Sequence, residues 1–112
     1  MNERIESVLT HMLEDARDAV HFSKQAASFE VFYGDRMIRK AVIMSLLNIG
    51  ELASHLPQNY IQTHDNVPWK AMIGMRNLAA HGYHIMNLEI VWDTAVNSIP
   101  ELLAFLEKEL AQ

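Results

Sequence analysis

The chain has 112 residues, half of them apolar and 21% charged, with no cysteine and a formal net charge of −5. Such a length and composition fit one folded domain spanning 1–112 with its own core, and exclude a disordered chain, a disulfide scaffold and a thiolate metal centre. The acidic balance excludes broad, nonspecific wrapping of nucleic acid, which needs many Lys and Arg to displace counterions, but a few converging cations can still hold a phosphate.

The first predicted helix carries apolar residues at Ile5, Leu9, Met12, Ala16 and Ala19, with Glu3, Glu6, Glu14, Arg17 and Asp18 on its polar back. A second seam steps by threes and fours through Ile38, Val42, Ser45, Ile49, Leu52 and Leu56, widened by Leu46 and Ala53. Pro57 ends it, because the residue before a proline is pushed out of the α region. Residues 58–67 are rich in Asn, Thr, His and Asp, which favour turns, so they predict a loop. Pro68 suits the first turn of a shorter helix through Trp69, Ile73, Met75 and Leu78, and Gly82 supplies its stop.

A last helix begins near Asn87 and runs through Ile90, Val91, Ala95, Ile99, Leu102, Leu103, Leu106 and Leu110. Pro100 predicts a kink in it, or a restart in which Ser98 and Glu101 form a capping box. With no strand pattern or repeat, the expected fold is all-α: an antiparallel up-and-down four-helix bundle of three long helices and one shorter. The methionines at core spacing are expected to fill gaps in the interior. Met37, Ala41, Ile43 and Met44 lie beside the main seam of the second helix, a surplus that a homodimer would bury. The stretch from Ala41 to Ile49 is far short of the roughly 20 residues needed to span a bilayer. Together with the charged start Met1-Asn2-Glu3-Arg4, it predicts no membrane association and a cytoplasmic location.

Polar chemistry concentrates in "MRNLAAHGY" at 75–83. Arg76 and His81 are five apart, so on one continuous helix they would diverge by roughly 140°. A helix ending at Ala80 with a turn at Gly82 removes that obstacle. The plain alternative is a solvated Arg76, a His81 at the helix end and a half-buried Tyr83. Arginine matches a phosphate with its planar fork, and histidine moves protons near neutrality. The pair therefore suits metal-free cleavage of RNA, in which a 2′-OH attacks the adjacent phosphorus.

The stretches "AVIMSLLNIGELASHLP" at 41–57, "VPWKAMIGMRNLAAHGY" at 67–83 and the closing "IVWDTAVNSIPELLAFLEKEL" resemble a HepT-type HEPN domain over essentially the whole chain. The most specific element is Arg-x4-His-x-Tyr at Arg76, His81 and Tyr83, with polar Asn77 after the arginine; Gly50-Glu51 and Pro68-Trp69 support it. The resemblance implies a homodimer that brings two Arg–His pairs into a cleft, acting as a metal-independent RNase toxin without a cofactor. It also implies an antitoxin partner, a minimal nucleotidyltransferase that transfers AMP to Tyr83 and so blocks the cleft.

On that basis Arg76 and His81 are the catalytic pair, with Asn77 orienting the phosphate or His81. Glu51 either pairs with Arg76 across the bundle or is a solvated helix carboxylate. Lys70, Arg36 and Arg39 either line an RNA path or serve solubility. Glu51 with His55 and His81 with His84 have ligand-like spacing, but the paired Glu-x-x-His motifs of a di-iron bundle are missing, so no metal is expected. His11, His21 and His64 are expected at the surface. The competing function is a noncatalytic helical dimer that binds and regulates a nucleotidyltransferase.

Overall fold

A computed structural model describes residues 1–80, 82 and 85–112, with Ala79 and Ala80 described in their backbone alone. The fold is all-α. Helix α1 (Glu3–Ser23) is capped by Asn2, whose Oδ1 accepts from the Ile5 N–H at 2.8 Å. Short α2 (Phe29–Gly34) starts at Ser28, and α3 (Arg36–Ala53) starts at Asp35, whose carboxylate accepts from the Ile38 N–H. Then follow α4 (Gln58–Thr63), α5 (Trp69–Ala80) and α6 (Leu88–Asp93), the last capped by Asn87. A π turn at Thr94–Ser98 leads into α7 (Ile99–Leu110).

Packing runs α5 on α3, α3 on α1, and α1 on α7. The core therefore lies along α1, where Leu9, Met12, Ala16 and Ala19 are fully buried against Val42, Ile49, Ile99, Leu102 and Leu106. The small residues Ala16, Ala19, Ala53 and Ala95 let the helices approach, and the branched residues fill the space between them. Two buried hydroxyls inside this seam are satisfied locally: Ser45 donates to the Ala41 carbonyl and Ser23 to that of Val20.

Several expectations are corrected. Residues 58–63 are helical, because Tyr60 anchors them in the core and packing overrides turn propensity; Thr63 donates back to the Asn59 carbonyl within that helix. Ile43 is only 4% exposed and belongs to the core, unlike Met37 at 77% and Met44 at 57%. The methionines divide accordingly: Met12, Met72, Met75 and Met86 are buried, whereas Met37 and Met44 stand out from α3.

His64, expected at the surface, is half-buried: its ring stacks on Tyr60 with centroids 4.1 Å apart, meets the edge of Phe105, and lies 3.8 Å from the Glu109 carboxylate. Its backbone carbonyl accepts from the Trp69 indole at 2.9 Å, tying the start of α5 to α4.

At Pro100 the chain restarts without the expected capping box. Ser98 has helical backbone angles (φ −76°, ψ −40°) rather than the extended ones typical of a capping residue, and its side chain makes no capping bond. The Ile99 N–H reaches back five residues to the Thr94 carbonyl, and this wider turn accommodates the proline at the start of α7.

Tyr60 is 9% exposed and its hydroxyl has no hydrogen-bond partner among the described residues. Burial, and secondarily the charge of Glu109, push its pKa from 10.0 up to about 12. Between those values the unfolded chain has lost the phenolic proton and the folded chain still holds it, so this contribution to stability is intact below pH 10 and fades as pH rises towards 12. Urea titrations should show Tyr60→Phe to be as stable at pH 7 as the wild type, or about 1 kcal/mol more so, because an unpaired buried hydroxyl is removed. The variant should also lack this part of the alkaline loss of stability.

Candidate functional site

The site is built where α5 crosses α3. Gly50 is buried, and a Cβ placed on it would lie 2.4 Å from the Met72 carbonyl oxygen and 2.8 Å from the Arg76 Cβ. No side chain fits there, so α3 and α5 meet backbone to backbone. The residue after Gly50 is then brought against the Arg76 side chain: Glu51 Oε2 lies 2.6 Å from Arg76 Nε. The other carboxylate oxygen, Oε1, is 3.4 Å from His55 Nε2, one turn further along and just past the end of α3. Asn77 Oδ1 accepts a long bond of 3.4 Å from Arg76 Nη1.

This cluster faces water: the Arg76 side chain is 39% exposed and that of Glu51 51%. An exposed ion pair contributes only about 0–1 kcal/mol to stability, so the effect of Glu51 is to aim the guanidinium rather than to hold the fold. A guanidinium fixed by its Nε edge and still open to solvent can present further N–H donors to an anion.

Asp15, on α1, extends the polar surface: it accepts from Asn48, nearly one turn before Glu51, at 3.5 Å. Burial raises the Asp15 pKa against the opposing Asn48 hydrogen bond, with Asp18 and Glu14 adding to the rise.

Of the residues expected at the site, the structure thus joins Arg76, Asn77 and Glu51. His81, Tyr83 and His84 lie outside the described residues; α5 closes at Ala80, and Gly82 has a φ of 117°, which suits the glycine after a helix end. Of the remaining cations, Arg39 donates to the Tyr33 carbonyl and so fastens the end of α2, and Arg36 is exposed at the far end of α3. Lys70 is exposed in the first turn of α5, about 9 Å of helix rise from Arg76. His55 reads in the sequence as half of a metal-ligand spacing, and its place in a cluster with Arg76 emerges only from the crossing of two helices.

The family model described as "Ribonuclease HepT-like" matches residues 4–109. The chain belongs to the HepT-like ribonuclease family. It is similar to a candidate RNase of Methanocaldococcus jannaschii, at 35% identity over 93% of this chain and 85% of that one. A candidate RNase of Caldanaerobacter subterraneus is 37% identical over 84% and 83% of the two chains. The probable ribonuclease HepT of Thermococcus cleftensis is 31% identical over 86% of this chain and 90% of its own. No solved structure matches the chain.

In this HepT-like chain Gly50 and Gly74 make an internal comparison, since a Cβ on Gly74 meets nothing within 4 Å. Gly50→Ala forces backbone against side chain and should lower the unfolding free energy in urea by about 2 kcal/mol. Gly74→Ala should instead leave it unchanged or raise it by up to about 1 kcal/mol, through helix propensity alone. Equal midpoints for the two variants would contradict the close approach of α3 and α5.

Proposed function

We propose that this HepT-like protein is a metal-independent endoribonuclease that acts as a homodimeric toxin and is silenced by adenylylation of Tyr83. The observation that carries the reading is the Arg76 side chain, aimed by Glu51 at 2.6 Å, open to solvent, and set five residues before a histidine. In the reaction the 2′-OH of the substrate attacks the adjacent phosphorus and the bond to the 5′ oxygen breaks, giving a cyclic phosphate and a 5′-OH end. Arg76 balances the charge that builds on the nonbridging oxygens, and His81 removes the 2′ proton or supplies one to the leaving oxygen. Asn77 orients the phosphate or His81. No step needs a cofactor.

A second copy would supply the other proton-transfer group. The exposed face of α3 supports that assembly: Met37, Met44 and Glu51 are spaced by sevens and share one side of the helix, so the apolar stripe leads into the charged cluster. A second copy covering the stripe would bring its own Arg76 and His81 towards this one. The open groove of about 500 Å³ between α5 and α6, with Leu78 and Ile90 exposed along it, is further apolar surface for a protein partner. Among the described residues no helix is long and apolar enough to cross a membrane.

The toxin's partner on this reading is a minimal nucleotidyltransferase. It would join the α-phosphorus of ATP to the Tyr83 oxygen with release of pyrophosphate, placing a bulky anion two residues from His81, where it repels an incoming phosphodiester.

In RNA digestions containing a chelator, the wild type should keep cutting, while Arg76→Ala and His81→Ala each lose about 10²–10⁴-fold in rate with folding and dimerisation unchanged. Expression should arrest growth for the wild type and for neither variant. Arrest that survives both substitutions would favour a noncatalytic dimer that regulates its nucleotidyltransferase. For the silencing step, mass spectrometry after incubation with the partner and ATP should find added AMP on the wild type and none on Tyr83→Phe; the same added mass on the Phe variant would place the modification elsewhere.

A further inference from the structure

We infer that His55 is a third member of the phosphate-binding cluster, and that its proton decides how strongly Arg76 attracts a phosphodiester. The inference rests on the ribonuclease reading for its ligand, and on geometry for the rest. One carboxylate serves two cations: Glu51 holds Arg76 Nε through Oε2 at 2.6 Å and His55 Nε2 through Oε1 at 3.4 Å. All three side chains reach solvent, His55 at 54% exposure, so an RNA strand can approach them together.

Charge counting gives the consequence. With His55 neutral, the positive charge of Arg76 is cancelled by Glu51 and the cluster has no net charge to offer an anion. With His55 protonated, the cluster carries one positive charge, and Glu51 is shared between two cations, so its hold on the guanidinium loosens. His55 follows the C-cap residue Ser54, which places it at the negative end of the α3 dipole, a position that accommodates a cation. The groups facing it are Glu51 from α3 and, through that carboxylate, Arg76 from α5. Among the described residues no further charged side chain lies within ion-pair distance of these three.

Lys or Arg at position 55 would leave the cluster permanently positive, whereas a histidine makes its charge conditional. His55 thereby acts on binding rather than on the bond-making step, and its effect should appear in affinity, and in KM more than in kcat.

The test uses a fluorescently labelled oligoribonucleotide with every 2′ oxygen methylated, so that binding is read without cleavage, at fixed salt. A unit charge about 6 Å from a phosphate at an effective dielectric constant of about 40 changes affinity about tenfold. The wild type should therefore bind more tightly at pH 6 than at pH 8 through this group, by up to about tenfold, beyond whatever the other histidines contribute. His55→Gln should lose that increment and keep only the pH response of the other histidines, and His55→Lys should bind about tenfold more tightly than His55→Gln at both values. Since His81 is present in all three proteins, its own titration cancels in the comparison.

A His55→Gln protein with the full wild-type pH response would overturn the inference while leaving cleavage by Arg76 and His81 untouched. Absence of binding by the wild type at either pH would overturn it as well. Conversely, if His55-dependent binding is found and unmodified RNA is never cut, the inference stands and the ribonuclease reading fails.

Discussion

Two helices touching through their backbones at Gly50 are the constraint from which the candidate site follows. The close approach sets the residue after Gly50 directly beside the Arg76 stem, so the Glu51 carboxylate meets the guanidinium at its Nε edge, 2.6 Å away, and leaves the outer nitrogens towards solvent. Here the missing Cβ lets the Met72 carbonyl and the Arg76 side chain move into the space that a larger residue would fill. The approach is secured at a distance from the site as well: the Trp69 indole is pinned to the His64 carbonyl, and Tyr60, His64 and Phe105 pack round that junction. The start of α5 is thus tied to α4 and α7, and its middle is pressed into α3.

Much of this arrangement is visible in the residues themselves. The stripes of α1, α3 and the last helix are long enough for periodicity to stand out, and Asn87 and Gly82 mark their helix ends by the chemistry of capping. The short helices are not visible in that way. Six residues of α2 or α4 make fewer than two turns, too few for a stripe, and both form because one aromatic residue, Phe32 or Tyr60, finds a buried place. His64 escapes for a related reason: nothing in its neighbours along the chain announces Phe105 and Glu109, which come from the other end of the sequence.

The site divides along the same line. Arg76, Asn77, His81 and Tyr83 form a local pattern that can be read without coordinates, and the resemblance to a family rests on it. The pairing of Glu51 with Arg76 links positions 25 apart and depends on how closely two helices cross. Spacing alone leaves that pairing open, because a carboxylate on the shoulder of a helix has solvent as its default partner. The acidity of the chain also takes on a local meaning. A net charge of −5 discourages adventitious contact with nucleic acid, so the approach of a phosphodiester depends on a few placed cations whose strength neighbouring groups can adjust.

The π turn at Thr94–Ser98 has a bearing on how the last helix keeps its buried side turned inward. Val91, Ala95 and Ile99 are spaced four and four, and on a uniform α-helix each such step advances the azimuth by about 40°, carrying Ile99 away from the line on which Val91 sits. Winding more slowly through one turn cancels the advance, so Ile99, Leu102 and Leu106 all return to full burial beyond the proline. The irregular turn therefore works as a phase corrector: it allows an insertion-like spacing and a helix-breaking residue to coexist in a single rod that still seals the interior along α1.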